Sequence, residues 1–104
     1  MVNDDIRDLL SAPSPADRHA FLERLDATLT EGYARALQLE AERWRVEQRI
    51  AEIIAVLPEG ADVPEASELA GLAQRRSTAN QDLATLRELL GLLRERRIAV
   101  RDAA

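Results

Sequence analysis

The 104-residue sequence contains no cysteine and no lysine, and its only aromatic residues are Phe21, Tyr33 and Trp44. The lack of cysteine excludes disulfides and thiolate metal sites. No apolar run approaches the roughly 20 residues that a helix needs to cross a bilayer. The first residues also lack the basic and apolar regions of a secretory signal. These absences predict a cytoplasmic protein without membrane contact.

The charge balance is acidic, with a formal net charge of −5 at pH 7. A nucleic-acid backbone requires a basic face on its partner, so direct nucleic-acid binding is disfavoured. All 14 basic residues are arginine. This choice is typical of a GC-rich genome and favours a bacterial or phage origin.

Glycine and proline are few, and leucine and alanine dominate the apolar residues, which predicts an all-α protein. Residues 1–13 are interpreted as a short N-terminal helix and a linker. Residues 14–104 are interpreted as a helical hairpin, with a helix at 15–57, a turn at 58–64 and a helix at 65–101. Ser14 followed by Pro15 is typical of a helix start.

Each long segment carries the two apolar seams of an antiparallel two-helix coiled coil. In the first segment the seams run through Leu22, Leu25, Leu29, Gly32, Ala36, Leu39, Arg43, Val46, Ile50, Ile53 and Leu57. In the second they run through Leu69, Leu72, Arg76, Ala79, Leu83, Leu86, Leu90, Leu93, Arg97 and Val100. One antiparallel register aligns them, and it sets Gly32 against Leu90, Arg49 against Glu68 and Asp26 against Arg101.

Two helices cannot cover all of the apolar surface that this pattern provides. A second stripe beside the seam, and a further patch on the second helix, are interpreted as a partner-binding face: Tyr33, Leu37, Trp44, Ala51, Ile54, Leu89 and Leu92. The partner is another protein or a second copy, with a dimeric helical bundle favoured. Alternatively, the N-terminal helix folds back and covers the stripe.

The N-terminal helix is itself a possible docking element for a partner, through Ile6, Leu9 and Leu10. These three apolar residues fall on one face of a helix from Asn3 to Leu10.

Catalytic chemistry has little support in the sequence. The single histidine, His19, lies among charged residues at the start of a helix and is interpreted as a surface residue. Neither a phosphate loop nor a metal-ligand motif nor a dinucleotide fingerprint occurs. The sequence therefore predicts a non-enzyme without cofactor or metal.

Arg43 and Arg76 interrupt the seams at neighbouring layers, near Ser77, Asn80 and Gln81. This polar waist could hold an anionic ligand, which makes the chain a sensor. In the alternative, each arginine extends past the seam and meets a glutamate.

The segment from Gly60 to Leu69 resembles the hairpin tip of Gre-type transcript cleavage factors. That resemblance implies an acidic tip that enters the secondary channel of RNA polymerase and helps to hold a magnesium ion. Asp62 and Glu65 would take the acidic roles, whereas Ala66 and Leu69 stand where that family has Asn and Tyr.

These observations lead to one principal expectation. The chain is a non-catalytic interaction module, acting as an adaptor, an assembly factor or a regulator that sequesters its target. A polymerase-channel regulator and an anion sensor remain the alternatives.

Overall fold

The computed structural model describes residues 1–56 and 63–103, and all regular secondary structure in this part of the chain is α-helical, as predicted. Its helices are α1 (Val2–Ser11), α2 (Arg18–Val56) and α3 (Val63–Asp102). Most of the predicted turn falls at residues 57–62, outside the described residues. Among the described helices, none is both long enough and apolar enough to span a membrane.

The start of α2 differs from the prediction, because Asp17 rather than Ser14 caps it. The side-chain Oδ1 of Asp17 accepts a hydrogen bond of 3.1 Å from the backbone N–H of Ala20. Its carbonyl oxygen accepts the first helical bond, from Phe21. This is N-cap geometry, so the helix begins at Arg18 and Pro15 belongs to the linker.

The chain divides into two compact units, and each is described by itself. Unit 1 consists of Met1–Leu37 and Ala84–Ala104. It contains α1, the first half of α2 and the second half of α3. Its core is formed by Ile6, Leu9, Phe21, Leu25, Leu29, Ala36, Leu86, Leu89, Leu90, Leu93 and Val100.

Unit 2 consists of Gln38–Leu83, in which the second half of α2 packs against the first half of α3. Val46, Ile53 and Leu72 form a buried cluster, and the partly buried side chains of Ile50 and Leu69 pack against it. These are the seam residues that the heptad pattern predicts. Both helices are long, and such helices derive most of their stability from an apolar face of this kind.

The helices run antiparallel in both units. In unit 2 the predicted pair of Arg49 and Glu68 forms an ion pair of 2.9 Å. In unit 1 the predicted pair of Gly32 and Leu90 is in direct contact. The packing of α2 against α3 is thus consistent with the predicted hairpin.

One predicted charge pair is wrong. Asp26 pairs with Arg97 instead of Arg101, through two hydrogen bonds from the guanidinium to the carboxylate. Arg101 contacts its neighbour Asp102 at 3.0 Å. Position 97 belongs to the seam, but an arginine there buries its stem and extends its charged end to the nearest carboxylate.

Candidate protein interface

One face of unit 1 is covered by α1. Ile6 and Leu9 are fully or almost fully buried, and Cδ1 of Ile6 would lie 3.7 Å from a Cβ placed on Gly32. Ile6 and Leu9 therefore pack within unit 1, and the role of Ile6, Leu9 and Leu10 as a docking element for a partner stays a prediction. Leu10 is half-buried. The N-terminal helix folds back onto its own chain.

Arg96 fixes the linker that follows α1. Its Nη2 donates a hydrogen bond of 3.0 Å to the carbonyl oxygen of Ala12, and its guanidinium lies 5.7 Å from the centre of the Phe21 ring. Its Nε is buried and has no hydrogen-bond partner in the described part of the chain. Arg96 thus joins the linker to both α2 and α3. The sequence analysis missed this contact because a polar residue beside a seam usually indicates a solvated position.

Leu89 lies on the side of α3 that faces the linker after α1, because Leu89 and Arg96 are seven residues apart and Arg96 contacts Ala12. Only 9% of Leu89 is exposed, so its assignment to the exposed patch is wrong. Leu92, by contrast, is 43% exposed. The predicted patch is therefore divided between the interior of unit 1 and its surface.

A different side of unit 1 carries Tyr33 and Leu37. Arg94 Nη1 donates a hydrogen bond of 2.8 Å to the Tyr33 hydroxyl, and the Arg94 guanidinium lies 5.9 Å from the centre of the same ring. Arg94 points about 160° away from Arg96 around α3, so this side is not the one that faces the linker after α1. Tyr33 remains partly exposed and Leu37 is 66% exposed.

Unit 2 leaves the rest of the predicted stripe uncovered. Trp44 and Ile54 are 61% and 60% exposed, and Ala51 is exposed between them. Trp44 and Ala51 are seven residues apart, and Ala51 and Ile54 are three apart, so the three side chains lie on one side of α2. We call Trp44, Ala51 and Ile54 the unit 2 patch. Val56, at the end of α2, is also exposed, but it lies about 160° from Ile54 around the helix and is not part of this patch.

The arginine waist is engaged within the chain. Arg43 Nη1 lies 3.3 Å from the Asn80 side-chain oxygen, to which it donates a hydrogen bond. Arg43 is half-buried and Arg76 is exposed. Arg43 is therefore held by an amide on the opposite helix, and the expected role of the two arginines in anion binding stays a prediction.

The structure describes only part of the predicted acidic tip. Asp62 lies outside the described residues. Glu65 stands in the first turn of α3, where a negative charge complements the helix dipole. Its Oε2 is buried without a hydrogen-bond partner in the described ranges.

No described group of three or more histidine, cysteine, aspartate or glutamate side chains has a metal-binding arrangement. His19 is highly exposed and lies 3.2 Å from Glu23, one helical turn away, a position typical of a surface residue. Where the linker meets the end of α3, a cleft of about 480 Å³ is lined in part by Ser14, Arg18 and Arg96. Both arginines donate to backbone carbonyls there, Arg18 to Ala103 and Arg96 to Ala12.

No known protein family, curated protein or solved structure matches this chain. The surface of the two units is thus the main guide to function. The most distinctive features of that surface are exposed apolar side chains on regular helices.

Proposed function

We propose that this chain is a non-catalytic protein-interaction module, serving as an adaptor, an assembly factor or a sequestering regulator. Each unit contributes its own contact surface. In unit 1 it is formed by Tyr33 and Leu37, with Leu92 as a further exposed apolar residue. In unit 2 it is the unit 2 patch. The occupant is another protein or a second copy of the chain.

The exposure of Trp44 carries this proposal. Isolated apolar residues on a surface are ordinary. A tryptophan that shares one side of a helix with other exposed apolar residues is typical of an interface. Covering the exposed part of a side chain such as Ile54 with a partner contributes about 1–2 kcal/mol. Arginine residues such as Arg94, stacked beside the aromatic Tyr33, are also common in interfaces.

The test compares Trp44→Ala with Arg45→Ala in an affinity capture from the host cell. Arg45 is the next residue, is exposed and lies on a different side of α2. We expect a partner to be retained by the wild type and by Arg45→Ala and to be lost with Trp44→Ala, while circular dichroism shows equal helicity. Equal recovery with all three chains would refute this contact surface.

Trp44 also provides a direct optical measurement, since it is the only tryptophan in the chain. Its exposed indole emits as it does in water, and a partner that covers it should shift the emission to shorter wavelength. If the captured protein is titrated into the chain and the Trp44 emission does not shift, that protein does not cover Trp44.

The described residues add no observation in favour of the polymerase-channel regulator or of the anion sensor. Both stay predictions from the sequence.

A further inference from the structure

We propose that the unit 2 patch is covered by a second copy of this chain, with α2 of one copy packed against α3 of the other. The inference rests on the proposed function and deepens it, because it names the occupant of one contact surface.

Two cross-helix contacts define the two sides of unit 2. The ion pair between Arg49 and Glu68 marks one side of the seam, and the hydrogen bond from Arg43 to Asn80 marks the other. Ile54 lies about 20° from Arg43 around α2 but about 140° from Arg49. Ala51 and Trp44 lie about 80° and 100° from Arg43 in the same direction, so the unit 2 patch runs from the Asn80 side towards the outer face of α2.

The same side of α3 is lined by small residues. Ala73 lies about 20° from Asn80 around the helix, and Ser77 lies about 60° from it. Ala66 and Ala70 continue this strip towards the start of α3, and all four residues are exposed. One face of unit 2 thus presents bulky side chains from α2 and a shallow strip from α3.

The bulky and the small side chains of this face complement those of a second copy, both in size and in their level along the helix axes. The two cross-helix contacts place Trp44 at the level of Ala73 and Ser77, and Ile54 at the level of Ala66 and Ala70. A two-fold axis parallel to the helices preserves these levels, so the tryptophan of each copy meets the small strip of the other. Large side chains against small ones give the dense packing that helix interfaces need.

Charge does not oppose the contact. On the α3 side the strip has no ionisable group. On the α2 side Glu40 lies one turn before Trp44, and Glu47 lies between Trp44 and Ala51. Arg76 is exposed and lies at the level of Trp44. In the proposed dimer, Glu47 of one copy lies within one helical turn of the level of Arg76 in the other copy, so the two side chains can pair. An exposed pair of this kind adds about 0–1 kcal/mol and acts mainly on orientation.

The face is small for an interface, which favours a weak complex. Residues 40–54 and 66–80 each span about 21 Å, and two helices packed side by side are about 20 Å wide. The projected face is therefore on the order of 400 Å², about half of the ~800 Å² per partner in a standard interface. We expect a reversible dimer that forms at micromolar concentrations.

The experiment is sedimentation velocity of the full chain over about 1 to several hundred micromolar. It compares the wild type with Ala73→Arg and with the matched control Gln74→Arg. Both substitutions place an arginine on an exposed position of α3, but residue 74 lies about 100° away from residue 73. We expect the wild type and Gln74→Arg to dimerise and Ala73→Arg to stay monomeric, with equal helicity for all three. A monomeric wild type, or an Ala73→Arg chain that dimerises like the control, would overturn the proposal.

Cysteine cross-linking supplies a second measurement, since the chain has no cysteine of its own. Ala51→Cys and Ala70→Cys chains of different mass are mixed and oxidised. The proposal requires the mixed disulfide to form well beyond the half of all disulfides that random pairing gives, because it places α2 against α3. Predominant homodisulfides contradict it.

The two proposals can fail separately. If the wild type is monomeric but Trp44→Ala still abolishes capture of another protein, the interaction module stands and the second copy is rejected as its occupant. If the chain dimerises as described but capture is unaffected by Trp44→Ala, the patch serves self-association alone.

Discussion

Leu90 occupies the space that a side chain at position 32 would need. A Cβ on residue 32 would lie 2.5 Å from Cδ2 of Leu90 and 3.4 Å from its Cγ. Leu90 is itself buried, at 2% exposure, so its methyl group has little room to move. The glycine thus permits close approach of α2 and α3, although a glycine within a helix costs about 1 kcal/mol relative to alanine.

Gly32→Ala should therefore destabilise the protein despite its better helix propensity. Overpacking in a core costs about 1–3 kcal/mol, against the gain of about 1 kcal/mol in propensity. The matched control is Gly71→Ala, because no atom lies within 4 Å of a Cβ at that position. We expect urea unfolding to show a loss of up to about 2 kcal/mol for the first and a gain of up to about 1 kcal/mol for the second. Stabilisation by both substitutions would mean that Leu90 rotates away without cost.

Ile6→Ala should lower stability by about 2–4 kcal/mol, because Ile6 is completely buried and the substitution leaves a cavity. Asp8→Ala is the control, since Asp8 is exposed on the same helix. The stability lost in Ile6→Ala cannot exceed the free energy that docking of α1 contributes. A chain that lacks residues 1–11 loses all of that contribution, so its stability gives the upper limit. Unfolding by urea, followed by circular dichroism, measures all three. An Ile6→Ala chain as stable as the control would show that α1 contributes little to unit 1.

The heptad pattern predicted most of the fold because each seam position has one physical requirement, an apolar side chain facing the other helix. Leu25, Leu83 and Leu93 are buried as this requirement predicts. Long side chains were less predictable. Arg97 extends beyond its own position to Asp26, and sequence spacing carries no information on where a flexible guanidinium ends.

The exposure of individual residues in unit 1 was predicted less well, because it depends on where α1 packs. A short helix that is separated from the hairpin by a proline-containing linker has no register pattern that fixes its docking face. Tyr33, Leu37, Trp44, Ala51 and Ile54 are exposed, and their role as a binding face stays a prediction. Leu89 was misjudged because its side of α3 faces the linker after α1. The burial of Arg96 under the linker could not be foreseen for the same reason.

Leu89 and Leu92 allow a direct test of this division of the predicted patch. They lie one turn apart on α3, yet Leu89 is in the core and Leu92 is 43% exposed. Leu89→Ala should cost about 2–3 kcal/mol, whereas Leu92→Ala should change stability by no more than about 0.5 kcal/mol. Chemical denaturation of the two variants decides the point. Equal losses would place both leucines in the core and would remove Leu92 from the exposed surface.

The pairing of Asp26 with Arg97 predicts a specific titration. The hydrogen bond from Arg97 lowers the pKa of the Asp26 carboxyl from its ordinary value of 3.8, and the positive charge of Arg97 acts in the same direction, while partial desolvation opposes them. A carboxyl with a lowered pKa in the folded state stabilises that state above its unfolded pKa. This contribution is lost as the pH falls through the folded pKa, below 3.8. Asp26→Asn should therefore lower the Tm slightly at neutral pH and have no effect in more acidic solution, where the wild-type carboxyl is protonated.

Substitution of the arginines separates the observed pair from the one that the register predicted. Arg97→Gln removes the hydrogen bonds to Asp26, so the pKa of Asp26 should rise towards 3.8. Arg101→Gln should leave that pKa low, since Arg101 contacts Asp102 instead. NMR titration of the Asp26 side-chain carboxyl measures both variants against the wild type. Raised salt should also weaken the effect, because the pair is exposed to solvent on one side. If Arg101→Gln raised the pKa as much as Arg97→Gln did, Asp26 would be shared between the two arginines, and the seam arginine would lose its specific role in fixing the end of α3 against α2.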